Sequence, residues 1–106
     1  MSRAKGFAAE ASGAEWLSAH GFEIVERNYQ KKCGEIDIIA RKNGVVHFVE
    51  VKSGENFDPI YAFTPRKISR VIKTAQSWLG RTDTAFCIDA LIVRGSEMEL
   101  IENITM

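Results

Sequence analysis

The sequence predicts an α/β domain with a mixed central sheet flanked by helices, in the order α-β-β-β-α-β-β. Three observations carry that expectation. Residues 6–20 and 65–79 place apolar side chains at helical spacing, and each stretch is closed by a glycine, Gly21 or Gly80. Five other runs are short and rich in β-branched or aromatic residues. Between two of them stands Asn43-Gly44, the strongest short hairpin signal available. With 106 residues, the chain has room for one hydrophobic core and not for two.

The first helix is Ala-rich. At ~100° per residue, Phe7, Ala14 and Leu17 fall within about 60° of Glu10, which puts an acid on the inward stripe. Desolvating an unpaired carboxylate is costly, so Glu10 needs a metal, an arginine partner or a route to water at the stripe's edge. "FEIVERNYQ" (22–30) alternates at its start and predicts the first strand. "GEIDIIAR" (34–41) and "VVHFVEVK" (45–52) predict the hairpin. "SGENFDPIYAF" (53–63) is irregular; it reads as a flexible loop, or as a lid or dimer contact carrying Phe57 and Tyr61. Thr64-Pro65 supplies an N-cap and a first-turn proline. The second helix then aligns Ile68, Val71, Ile72, Ala75, Trp78 and Leu79. "TAFCIDALIV" (84–93) and "EMELIENI" (97–104) are the last two strands, joined at Gly95-Ser96.

Fourteen acidic and fourteen basic residues cancel. That argues against attachment to nucleic acid or membrane by bulk charge, though not by a local basic face. No apolar run approaches the length of a membrane span. Arg3 and Lys5 are followed by Glu10 too soon for a signal-peptide core. Cys33 and Cys87 lack CxxC spacing, so reduced thiols and a cytoplasmic location are expected. His20 suits the end of the first helix and His47 a buried face. With Cys33 and Cys87 they show no zinc-ligand spacing. Asp89 interrupts an apolar strand and reads as a buried hydrogen-bonding acid.

The hairpin carries the chemistry. A two-residue turn at Asn43-Gly44 pairs Lys42 with Val45, and the register then sets Ile39 against Phe48, Asp37 against Glu50 and Glu35 against Lys52. Opposed residues have Cβ atoms ~4.5–5.5 Å apart, and opposed like charges are destabilising. Asp37 against Glu50 is therefore a local defect unless a cation lies between them. Mg²⁺ is commonly held by one or two carboxylates with water and phosphate, and Lys52 points to the same side. Alternatively this is a solvated face that Lys52 neutralises. One face (Ile36, Ile38, Ala40, Val45, His47, Val49, Val51) is nearly all apolar. The other is apolar near the turn (Ile39, Val46, Phe48) and charged at the open end, which puts the charges at the rim of a covered surface. Two acids holding Mg²⁺ or Mn²⁺ beside a lysine suit metal-assisted phosphodiester hydrolysis.

Asp37, twelve residues and then "EVK" resemble the D…(D/E)xK signature of the restriction-endonuclease-like superfamily. More closely, "FAAEASGAEWLSAHGF", "ERNYQ", "GEIDIIA", "FVEVK" and "TPRK", in order over nearly the whole chain, resemble the YraN-like family of small bacterial proteins. The resemblance implies an αβββαβ core and a metal-dependent nuclease site in which Asp37 and Glu50 bind Mg²⁺ or Mn²⁺ and Lys52 assists the attack. Glu10 matches the helical acid of archaeal Holliday-junction resolvases, and the main-chain carbonyl of Val51 would be a further ligand. Glu35 would orient Lys52. Ile36 stands where the superfamily's nominal proline would be, and Glu55 and Asp58 make the following loop acidic.

Residues 60–81 contain Arg66, Lys67, Arg70, Lys73 and Arg81 with no acid. Arg66, Arg70 and Lys73 cluster opposite the apolar stripe, the position of a solvated outer face. Lys67, which matches the family's lysine in "TPRK", and Gln76 border the stripe and are better placed to reach a phosphate. The resulting expectation is an endonuclease acting on DNA in preference to RNA, including branched or structured DNA. The alternative is a nucleic-acid-binding or assembly module that keeps the site without cutting. A C2 homodimer would help so small an enzyme span a duplex.

Overall fold

The structure is a computed structural model that describes residues 3–54 and 59–105. Helix α1 (Arg3–Ala19) precedes β1 (Glu23–Lys31), β2 (Gly34–Lys42) and β3 (Val45–Ser53). A 3-10 turn (Pro59–Ala62) leads into α2 (Pro65–Leu79), and β4 (Phe86–Arg94) and β5 (Glu97–Ile101) follow. The strands form one sheet in the order β1-β2-β3-β4-β5. β4 is parallel to β3, so α2 is the crossover that parallel neighbours require, and the other pairs are antiparallel. This is the expected mixed α/β fold, compatible with a restriction-endonuclease-like core. Of the loop 53–63, Glu55, Phe57 and Asp58 lie outside the described residues.

The local signals act where the chain needs them. Asn43 and Gly44 both take positive φ, 52° and 78°, as a two-residue turn matched to strand twist requires. Lys42 pairs with Val45 in consequence, and Ile39 with Phe48. The Thr64 side chain accepts the Lys67 N–H at 3.2 Å, capping α2, and Gly80 ends the helix at φ 63°.

The sheet is covered on both faces. α1 buries Ala14 and Leu17 against Ile38, Ala40, Val49, Val51, Leu91 and Val93. α2 buries Val71, Ala75 and Leu79 against Ile36, Ile39, Val46, Phe48 and Ile88. Gly13 lets α1 lie close to the sheet, since a Cβ there would stand 2.7 Å from Leu91 Cδ2. Phe7, expected on the inward stripe, is exposed, because the first turns of α1 overhang a cavity where Gly6, Ala9 and Glu10 form part of the wall.

Two expectations for the hairpin are corrected. Ile36 belongs to the α2 face and not to the α1 face of Ile38 and Ala40. Opposite this point on β1, the register runs from Arg27–Ile38 to Tyr29–Ile36, and Asn28 between them adopts φ 55°. The side-chain alternation breaks there, at Asp37. The β2–β3 ladder also ends at Ile38–Val49 and does not extend to Asp37–Glu50 or Glu35–Lys52.

Candidate metal and nucleic-acid site

Where the ladder stops, side chains replace backbone pairing. Asp37 Oδ2 accepts the Val51 N–H at 2.8 Å, and Glu50 Oε1 accepts the Asp37 N–H at 3.3 Å. Each acid is therefore pinned by main chain. The like-charge opposition inferred from register becomes an offset pair, with Glu50 buried and Asp37 partly buried.

Glu10, descending from α1, brings a carboxylate oxygen within 4.8 Å of those of Glu35 and Asp37. Glu35, expected beside Lys52, stands instead with these two acids and accepts from Gln30 Nε2 at 3.3 Å. The reason lies in the strands. Past Ile38 the end of β2 stays paired to β1, with Gln30 opposite Glu35, and no longer to β3. Glu50 approaches Lys67 Nζ, which lies 3.8 Å from its Oε2.

The electrostatics follow from burial and crowding. Desolvation raises the Glu10 carboxyl from its ordinary 4.5 to about 7, with further upward pushes from Asp37 and Glu35. Desolvation likewise raises Glu50 to about 8, with Asp37 adding to it and Lys67 opposing it. Asp37 is raised chiefly by desolvation, against the Val51 hydrogen bond. The Lys67 ammonium is lowered, first by desolvation and then by contact with Lys52. Glu10 Oε1 is buried without a hydrogen-bond partner, as is Asn28 Oδ1.

These groups share a cavity of about 440 Å³. α1 contributes Glu10 to its lining, the hairpin Glu35, Asp37, Glu50, Val51 and Lys52, and α2 Arg66, Lys67 and Arg70. Thus Glu10, Asp37, Glu50, Val51 and Lys52 are brought together as expected, although the contact seen at Val51 is through its N–H. Arg66 and Arg70, read as an outward face, line the cavity, whereas Lys73 and Gln76 do not. A helical wheel gives a residue's azimuth but not its position along the helix relative to the sheet. The first turns of α2 hang over the end of β3, so flanking residues there still border the site. The crossover held that signal, because the helix after a parallel strand starts at that strand's carboxyl end.

Of the cysteines and histidines, two stand apart and two come together. His20 stacks on Trp16 and Cys33 contacts Thr74 at 3.4 Å, each remote from the other thiol and imidazole. His47, Cys87 and Asp89 form a second group within the sheet, with His47 and Asp89 buried and Cys87 half-buried. No helix of the described residues is long and apolar enough to cross a membrane.

The sequence matches the Uncharacterised protein family UPF0102 over residues 9–93. A UPF0102 protein of Helicobacter pylori is 60% identical over 105 residues, covering 97% of this chain and 92% of its own. One of Wolinella succinogenes is 58% identical over 108 residues and covers 100% of both chains. Another, of Helicobacter hepaticus, is 52% identical over 107 residues, covering 99% of this chain and 97% of its own. The chain belongs to the UPF0102 family, the YraN-like family that its motifs resemble.

Proposed function

We propose that this UPF0102 protein is a divalent-metal-dependent endonuclease that hydrolyses phosphodiester bonds, in DNA in preference to RNA. The observation that carries the reading is the convergence of Glu10, Glu35 and Asp37 beside Glu50 and Lys52, with Arg66, Lys67 and Arg70 lining the same cavity. A patch of acids alone suggests little; acids and cations lining one cavity match the two halves of a phosphodiester site.

The donor set fits a hard divalent ion. Carboxylate oxygens are the preferred ligands of Mg²⁺ and Mn²⁺, and the buried Glu10 Oε1 makes no hydrogen bond among the described residues. Asp37, Glu10 and Glu35 would hold the ion, with Glu50 and the Val51 carbonyl available on the β3 side. When bound, Mg²⁺ or Mn²⁺ polarises a phosphoryl oxygen and lowers the pKa of a water.

The chain's own groups do the rest. Lys52 orients the attacking water and offsets charge on the phosphorane-like transition state. Glu50, pinned to the Asp37 N–H, keeps that acid's strand in place. Its carboxylate also draws in Lys67, which can hold a second phosphate oxygen. Arg66 and Arg70 grip flanking phosphates, which positions the strand without reading sequence.

The test is cleavage of a panel of single-stranded, duplex, flap and four-way-junction DNAs with Mn²⁺. Cutting should vanish with EDTA and fall by about 10²–10⁴-fold in Lys52→Ala, the range for a positioned proton-handling group. Lys52→Ala should keep its Mn²⁺-induced rise in melting temperature. No cleavage of any substrate, with DNA binding unchanged in Asp37→Ala, would replace this reading with a non-cleaving module.

A further inference from the structure

On the α1 face of the sheet, away from the acidic cavity, three different metal-ligand types converge. The parallel β3–β4 register sets His47 beside Cys87, and Asp89 follows two residues on, with its side chain on the same face. His47 Nδ1 donates to Asp89 Oδ2 at 2.6 Å, and Cys87 Sγ donates to Asp89 Oδ1 at 3.2 Å. The thiol sulfur also stands 3.1 Å from the same imidazole nitrogen. His47 and Asp89 are buried, whereas Cys87 is half-buried and gives the group an opening to solvent.

One other use of these residues fails on geometry. In a cysteine nucleophile the imidazole bridges thiol and acid through its two different nitrogens. Here both partners meet Nδ1, so no relay runs between them. The thiol is also kept protonated, burial and Asp89 pushing it up to about 12, which is the opposite of an activated sulfur. As a plain hydrogen-bond network the group closes on Asp89, which accepts from the imidazole, the thiol and the Asn103 N–H, and that network does not require the 3.1 Å approach of sulfur to Nδ1.

We propose that His47, Cys87 and Asp89 form a binding site for one Zn²⁺ ion, with water as the fourth ligand. A mixed nitrogen, sulfur and oxygen set suits Zn²⁺ and Co²⁺ and disfavours Mg²⁺. Tetrahedral zinc would separate nitrogen from oxygen by about 3.3 Å and nitrogen from sulfur by about 3.5 Å, given its usual bond lengths. The observed spacings are tighter by about 0.7 Å and about 0.4 Å respectively, which side-chain rotations opening the group would supply. On binding, Cys87 Sγ gives its electron pair to the ion and its proton to solvent. The imidazole proton moves from Nδ1 to Nε2, freeing Nδ1. The Asn103 N–H, which donates to Asp89 Oδ1 at 3.0 Å, orients the carboxylate from outside, as a second layer of hydrogen bonding does around metal ligands. The ion would thereby tie β3, β4 and the segment after β5 together.

Co²⁺ is the probe, because its bond to a thiolate gives a near-ultraviolet charge-transfer band. The full chain, stripped with EDTA and dialysed, should show that band with one equivalent of Co²⁺. Zn²⁺ should displace it and excess Mg²⁺ should not. Cys33→Ser should retain the band and Cys87→Ser should lose it. Absence of the band in the unaltered protein, its survival in Cys87→Ser, or its loss in Cys33→Ser would overturn the proposal. Should Cys87→Ser fold poorly, alkylation of the unaltered protein decides. Zn²⁺ should slow Cys87 labelling by about tenfold or more while leaving Cys33 unaffected, and equal rates at both cysteines refute the site. Neither outcome depends on nuclease activity, so this proposal and the one for the acidic cavity stand or fall separately.

Discussion

Replacing Glu10 by glutamine removes one charge from a crowded trio while conserving shape. The oxygens of Glu10, Glu35 and Asp37 lie within 4.8 Å of one another. At that separation two full charges repel by about 3.5 kcal/mol at an effective dielectric near 20. The Glu10 carboxyl, raised from 4.5 to about 7, gives a comparable figure. That shift corresponds to about 3 kcal/mol at about 1.4 kcal/mol per unit when Glu10 is ionised. Glu10 is not fully withdrawn from water, so screening reduces the cost to about 1–2 kcal/mol. Glu10→Gln should therefore stabilise the metal-free protein by about that much at pH 8.5. The melting temperature should rise by about 5–10 °C, since each kcal/mol is worth several degrees in a domain this small. Its amide also supplies a donor for Asp37. With Mn²⁺ the order should invert, because the unaltered protein gains stability by mass action while Glu10→Gln gains little. The assay is thermal unfolding at pH 8.5 in EDTA and in excess Mn²⁺. A metal-free variant that melts below the parent, or one with an undiminished Mn²⁺ response, would refute the reasoning.

Other consequences follow from the same geometry. Glu10 and Glu50 are raised to about 7 and about 8, so the native state binds more protons than the unfolded state between their ordinary and raised values. Metal-free stability should thus fall as pH rises from about 5 to about 8, and the Mn²⁺-induced rise in melting temperature should grow over that window; melts at half-unit pH steps check both slopes. Gly13→Ala places a Cβ 2.7 Å from Leu91 Cδ2. The overpacking, about 1–3 kcal/mol, should exceed the helix-propensity gain of about 1 kcal/mol. Denaturant titration should show the loss, and Mn²⁺ binding should weaken because Glu10 sits one turn away. Arg66→Ala and Arg70→Ala should each lower the slope of log Kd for DNA against log salt by about 1 without changing sequence preference, as read by fluorescence anisotropy.

What the sequence made legible was local. Asn43-Gly44, Thr64-Pro65 and Gly80 each state a backbone requirement in the residues that meet it, and the hairpin register near the turn followed directly. Asp37, Glu50 and Lys52 could be placed together because they hang from the hairpin that Asn43-Gly44 fixes, whereas Glu10 joined them only through the family resemblance. What stayed hidden depends on distant partners. Ile36 changes face where Asn28, opposite on the neighbouring strand, takes a left-handed conformation. Glu35 turns to Glu10 because β2 ends on β1 and leaves β3. Arg66 and Arg70 reach the cavity because of where the crossover sets α2 down. His47 and Cys87, forty residues apart, become neighbours only through the parallel pairing of β3 with β4, so no spacing rule could have joined them.

The central claim is that the crowded carboxylates at the open end of the hairpin are a cation site. Anomalous diffraction from a crystal soaked in Mn²⁺ tests it most directly. The account predicts a peak in ligand range of Asp37 and of at least one of Glu10, Glu35 and Glu50. A cavity with no peak, or manganese bound solely elsewhere on the chain, would contradict it.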